Sequence, residues 1–305
     1  MEDTMALDTT HNQPLPDAKC KKIDLLSTSA KSFFQTELID LVASNGSEIK
    51  SHKALIRTDT EEVLAVHGNG YQIISHEDVV NSTYDAVKRA DISSDFNFKV
   101  YDYDNGRKLK IDIIFPDLTI EPQVGDYVRF QGLVYNSYDA TWALSQAAQG
   151  LRLWCDNGCT TPDTISHQRT KHTKNGAIGL DSGAYLFKQG LENFFNNKDK
   201  WQSYCSIPIM PGQAESFFKK HLVKSYRKYK DHNDFNKKQL ENLMRIQTHQ
   251  MHELGGTLWA LYNTMTHWAT HTDDCAMPEN SRRNRSAQIA QAMRSDTWRN
   301  YEKSN

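Results

Sequence analysis

Residues 125–159 read GDYVRFQGLVYNSYDATWALSQAAQGLRLWCDNGC. From Tyr127 to Tyr135 the side chains alternate. Val128, Phe130 and Val134 fall on one side, while Tyr127, Arg129, Gln131 and Tyr135 fall on the other. A period of two marks a strand with one face buried. Asn136-Ser137-Tyr138-Asp139 carries turn chemistry, because short polar side chains bond the nearby backbone. A second extended run follows, interrupted at Gly150 and resuming as Leu151-Arg152-Leu153-Trp154-Cys155.

Upstream, the same reading extends the sheet. Phe96, Phe98 and Val100 alternate with Asn97, Lys99, Tyr101 and Tyr103. Asp104-Asn105-Gly106 predicts a hairpin, since Asn-Gly accepts positive φ. The returning strand turns Leu109, Ile111, Ile113 and Phe115 inward and Lys108, Lys110 and Asp112 outward, with Pro116 and Pro122 bracketing a connection. Ser75 caps a helix whose first turn holds Glu77 and Asp78, where the helix dipole favours acids. Before it, Val63–Val66 and Tyr71–Ile74 read as two strands about the Gly68-Asn69-Gly70 turn. Phe33 to Val42 reads as a short N-terminal helix stopped by Asn45-Gly46, with a strand to follow at Lys50–Arg57.

The C-terminal part is helical by periodicity. Segments run over Ala184–Lys200, about Glu215–Tyr229 after a break at Pro211-Gly212, Phe235–His271 with a kink at Gly255-Gly256, and Ser281–Glu302. The fold class is therefore α+β: an N-terminal helix and an antiparallel β-meander, then a helical region. The divisions are a disordered tail over 1–30, an α+β sheet domain over 31–175, and a helical region packed on the sheet over 176–305.

Charge is uneven. The whole chain has 36 Lys and Arg against 38 Asp and Glu, but from Asn197 onward the count is 17 against 11. A basic C-terminal part points mildly to a polyanion; the ordinary alternative is a solvated set of helices. The N-terminus MEDTMALDTT is acidic and lacks the apolar core of a secretory signal. No stretch approaches the ~18–20 apolar residues of a membrane span. Five scattered cysteines suit a reducing compartment, so a cytoplasmic location without disulfides is expected.

Four constellations have residue types that carry chemistry. Lys99, Tyr101, Lys108, Lys110, Tyr127, Arg129, Tyr135, Arg152 and Trp154 can be placed on the outer face of the sheet. Cations neutralise phosphates and rings stack on unpaired bases, which suits single-stranded nucleic acid. Lys220, Lys224 and Arg227 share one face of a basic helix, and Arg282, Arg283 and Arg285 open the last helix, where cations oppose the dipole. Cys155, Cys159, His167 and His172 would make a zinc set, but the gap from Cys159 to His167 is shorter than a finger helix needs. His249, His252, His267 and His271 lack the glutamate of a metalloprotease helix and read as structural. Asp102, Asp104, Asp112 and Asp126 would be the magnesium ligands of a nuclease, although hairpin ends collect aspartate anyway. No metal or other cofactor is expected.

NSYDATWA at 136–143, LRLWCDNG at 151–158 and the downstream His167 resemble a family of phage, prophage and plasmid proteins, the domain of unknown function 932. VLAVHGNGYQIISHEDV at 63–79 resembles its entry segment. LWALYNTMTHWATH at 258–271 and RSAQIAQAMRSDTWRNY at 285–301 resemble its closing helices. Ala140 stands where that pattern often has glycine. The resemblance implies a role in phage or plasmid DNA metabolism and supplies no catalytic residues. The helix-then-meander order is similar to that of single-strand annealing proteins. The expected function is non-catalytic binding of single-stranded DNA, with annealing or recombination as its setting and a homo-oligomer as the form to look for by gel filtration. A metal-dependent nuclease and a non-enzymatic phage host-interaction protein are the alternatives.

Overall fold

The computed structural model describes residues 21–23, 33–152, 157–159, 167–170, 172, 183–223, 236–272 and 278–304. It is α+β, with two antiparallel sheets. The larger sheet runs β1 (Lys21–Ile23), β5 (Asn97–Tyr103), β6 (Lys108–Gln123), β7 (Asp126–Ser137), β8 (Leu144–Arg152) and β10 (His167–Thr170), and β9 (Asn157–Cys159) pairs with the far end of β8. The smaller sheet is β2 (Thr36–Val42), β3 (Glu48–Arg57) and β4 (Val63–Gly68). Helix α1 (His76–Ala90) joins the two.

The meander β5–β8 follows the predicted alternation. Leu109, Ile111, Ile113, Phe115, Val128, Phe130 and Val134 are all buried on one face. Each such side chain removed from water contributes about 1.5–3 kcal/mol. Helices α1, α2 (Gly183–Asn196) and α3 (Lys198–Tyr204) cover this inner face. Glycines on the sheet let them approach: a Cβ on Gly132 would stand 2.7 Å from Phe187, and one on Gly150 would stand 2.7 Å from Val128 and 3.1 Å from Trp201.

Gly190 does the same from the helix side, where its added Cβ would lie 2.4 Å from the Ala148 Cβ. An exposed helical Gly→Ala change normally stabilises by about 1 kcal/mol. Here the sign inverts, because helix α2 must back away from β8. Gly190→Ala is expected to lose about 1–3 kcal/mol, read as a lower urea midpoint at constant slope. An unchanged or raised midpoint would contradict this packing.

Several expectations are corrected. The N-terminal helix over Phe33–Val42 is absent; Thr36–Val42 is strand β2, and Asn45-Gly46 turns it into β3, with Gly46 at φ +84°. Its apolar residues are shared between two faces of a sheet rather than gathered on one helical stripe. Tyr71–Ile74 is not a strand, since β4 pairs with β3 and residues 71–75 lead irregularly into α1. Strand β6 continues through Pro116 to Gln123, with register shifts where a connection was expected. Strand β8 runs through Gly150 without interruption. Lys21–Ile23 lies within the expected disordered tail and is strand β1; the rest of 1–30 lies outside the described residues.

The helical divisions also differ. Pro211 opens α4 (Pro211–His221) rather than breaking a helix, as a first-turn proline can. The long helix expected to His271 is two: α5 (Lys237–Leu254) ends at Gly255, φ +80°, and α6 (Leu258–Thr270) starts at the Thr257 cap. The last is also two, α7 (Pro278–Met293) and α8 (Asp296–Glu302), restarted by the Ser295 cap.

Candidate functional site

Cross-strand register places the predicted surface residues directly. Tyr101 lies opposite Lys110, Lys110 opposite Tyr135, Tyr135 opposite Ser145, and Ser145 opposite Arg169. Residues paired across neighbouring strands share a face. Tyr101, Lys110, Tyr135 and Arg169 therefore form one row on the outer side, flanked by Lys99, Lys108, Tyr127 and Arg129 in the same parity.

Arg152 is the exception. It pairs with Val128, so it belongs to the inner face, where it is 1% exposed. Its Nε donates to Asp126 Oδ1 at 2.5 Å and its guanidinium to Gln250 Oε1 at 3.1 Å. Trp259 Nε1 donates to the other Asp126 oxygen at 2.7 Å. This buried pair ties β7 and β8 to α5 and α6 and is no part of a nucleic-acid surface.

Other members of the outer face are engaged within the protein. Lys108 reaches Asp104 at 2.5 Å and Asp139 at 3.4 Å, and those carboxylates hold its pKa above the usual lysine value despite burial. Lys110, 7% exposed, pairs with Asp112 at 3.2 Å. The Tyr135 hydroxyl donates to Glu279 at 2.7 Å, and burial beside that carboxylate raises its pKa well above the ordinary value. The side chains of Lys99, Tyr127 and Arg129 have no hydrogen bond or ion pair among the described residues. Tyr127 is exposed, and Arg129 Nε is a shielded donor without an acceptor.

Of the basic helix, Lys219 pairs with Glu215 at 2.6 Å and Lys220 Nζ donates to Thr297 at 3.3 Å. Lys224 and Arg227 lie outside the described residues. Two of the three arginines opening α7 do not wait for an outside anion to offset the helix dipole. Arg282 donates to Thr270 O and Arg285 to Trp268 O and His271 O, so both satisfy the C-terminal carbonyls of α6.

The proposed magnesium aspartates are dispersed. Asp102 accepts from the Gly106 amide at 2.9 Å, Asp104 and Asp112 are paired with lysines, and Asp126 lies on the opposite face from Asp112. Of the zinc set, Cys155 and the side chains of Cys159 and His167 lie outside the described residues. His267 and His271 stack at 3.9 Å.

Sequence reasoning missed a buried histidine cluster where the two sheets meet α1. Asn136 is at its centre. Its Nδ2 donates to His76 Nδ1 at 3.0 Å and to Ile74 O at 3.1 Å, and its Oδ1 accepts from His172 Nε2 at 2.9 Å. His76 Nε2 donates to Gly106 O at 3.0 Å. Tyr138 O is bonded to His67 Nε2 at 2.7 Å, and its hydroxyl accepts the His76 amide. Tyr71 is stacked between His67, at 3.7 Å, and His172, at 5.2 Å. The bonds fix the tautomer of His76, which donates from Nε2 to Gly106 O and accepts at Nδ1 from the Asn136 amide. Burial pushes the pKa of His76 down to about 3 and that of His172 down to about 4.

The signature stretch thus spans both features. Asn136 and Tyr138 hold the histidines, Ser137 exchanges hydrogen bonds with Trp142, and Asp139 answers Lys108. The family model for a domain of unknown function (DUF932) matches residues 63–295. The chain belongs to this family. Ala140, where the resemblance led us to expect glycine, has a φ of +57°, the left-handed conformation glycine adopts without strain. Strands β2 and β3 precede the DUF932 match, which begins with β4. No curated protein and no solved structure matches the chain. Among the described residues no helix is long and apolar enough to cross a membrane.

Proposed function

We propose that this DUF932 protein binds single-stranded DNA without cleaving it, in phage or plasmid DNA metabolism. The outer face of the large sheet is the surface. The observation that carries the reading is the set Lys99, Tyr127 and Arg129. They share that face, and none has a carboxylate partner among the described residues. Strand spacing and rise separate Lys99 from Arg129 by roughly 17 Å. An unbonded shielded donor such as Arg129 Nε costs about 1–3 kcal/mol, and a phosphate oxygen offsets that cost. Tyr127 offers a ring for a base to stack on, worth about 1–3 kcal/mol.

The surface is narrower than the sequence suggested, because Lys108, Lys110 and Tyr135 already have partners. Charge reversal should therefore act unequally. Lys99→Glu with Arg129→Glu is expected to weaken binding to an oligo(dT) strand at least tenfold. It should also flatten the dependence of log affinity on log salt by roughly 1.4, two single-strand phosphate contacts. An affinity and slope unchanged by both reversals would remove this face from the account. Magnesium-dependent cleavage by the wild type would instead favour the nuclease alternative.

A further inference from the structure

Arg283, one of the arginines that open α7, and Arg169, which the sequence reading did not single out, lie near each other above the signature stretch. Arg283, in the second turn of α7, places its guanidinium carbon 5.1 Å from the centre of the Tyr135 ring and 5.8 Å from that of Trp142. Arg169, exposed on β10, stands in the same cross-strand row as Tyr135, two strands away. Among the described residues neither guanidinium has a hydrogen bond or an ion pair.

The surroundings do not neutralise them. Asp112 is occupied by Lys110, and Glu279 by Tyr135 and by Arg282, 3.1 Å away. Among the described residues, Lys110, Arg282 and Arg283 all act on Glu279, and Arg169 adds a further positive charge beside Arg283. Burial and the nearby charge of Arg169 both lower the pKa of Arg283, although Tyr135 and Glu279 oppose the shift. The Arg283 guanidinium thus rests against two rings set nearly at right angles, 88°, and the rings hold its charge without accepting from its N–H donors. The fork of those donors matches a phosphate, which can accept two parallel hydrogen bonds.

We propose that Arg283, set over Tyr135 and Trp142, and Arg169, in the same outer-face row, form a phosphate-binding site. Its occupant is a phosphate of the bound single strand, an assignment that rests on the function proposed above. The site extends the Lys99–Arg129 surface across β8 to the β10 edge and brings α7 into it.

Calorimetric titration of the full chain with inorganic pyrophosphate at low salt tests the site itself. Binding is expected in the wild type, at least tenfold weaker in Arg169→Glu and in Arg283→Gln, and largely retained in Arg283→Lys. Arg169 is exposed and its variant should fold normally; circular dichroism checks both. No binding by the wild type, or equal binding by Arg169→Glu and Arg283→Gln, overturns the site. A parallel titration with oligo(dT) separates the two claims. Pyrophosphate binding lost in the variants with oligo(dT) affinity unchanged keeps the site and overturns its assignment to a strand. Pyrophosphate binding by a wild type that fails to bind oligo(dT) keeps the site and rejects the DNA function.

Discussion

Asp126→Ala is expected to cost about 3–5 kcal/mol of stability. Asp126 and Arg152 are 4% and 1% exposed, and the carboxylate also accepts from Trp259. Truncating it takes the carboxylate away from a buried guanidinium that also donates to Gln250. The loss comes from stranding that charge rather than from the worth of the pair. Arg152→Met in the same chain should therefore recover much of it, since an apolar side chain of similar length needs no partner. Urea unfolding of the two single variants and the double variant forms the test. Equal losses in Asp126→Ala and the double variant would show that the stranded charge is not the cause.

Acid is the second large lever. In the unfolded chain His76 takes up a proton near its ordinary value of 6.5; in the folded chain burial delays this to about pH 3. The folded state thus binds fewer protons throughout that interval. Stability is fully present above about pH 6.5 and is lost as pH falls toward 3. At pH 5 the expected loss from His76 alone is about 2 kcal/mol. His172 and His267, both lowered to about 4 mainly by burial, act in the same direction and by less, being partly exposed. The urea midpoint should drop between pH 7 and pH 5, and His76→Gln should show a shallower drop. A variant with the wild-type pH slope would mean that His76 is not titrating as described.

The central sheet was legible because its strands alternate strictly and its hairpin carries Asp-Asn-Gly. The Ser75 cap was legible for a similar reason, with acids following in the first turn. Strand β2 was not. TELIDLV fits a helix or a strand, and its pairing with β3 decides only in three dimensions. Arg152 was misplaced because polarity argues for the solvent side, whereas the register carried through Gly150 puts it opposite Val128. A one-residue error in parity moves a side chain to the other face. The histidine cluster joins residues from three distant parts of the chain, and no local spacing announces it. Its one sequence signal was the signature Asn followed by a downstream histidine. That signal was attached to His167, whereas the Asn136 amide meets His172. The Arg169–Arg283 pair was invisible for the same reason, since β10 and α7 come together only through the sheet.

Photo-crosslinking of a 5-iodouracil oligonucleotide to the full chain, followed by peptide mapping, addresses the outer-face claim most directly. Adducts are expected within Asn97–Tyr103 and Asp126–Ser137, at Tyr101 and Tyr127, and they should fade as salt rises. Adducts confined to β2–β4 or to the helices, or none at low salt, would contradict it.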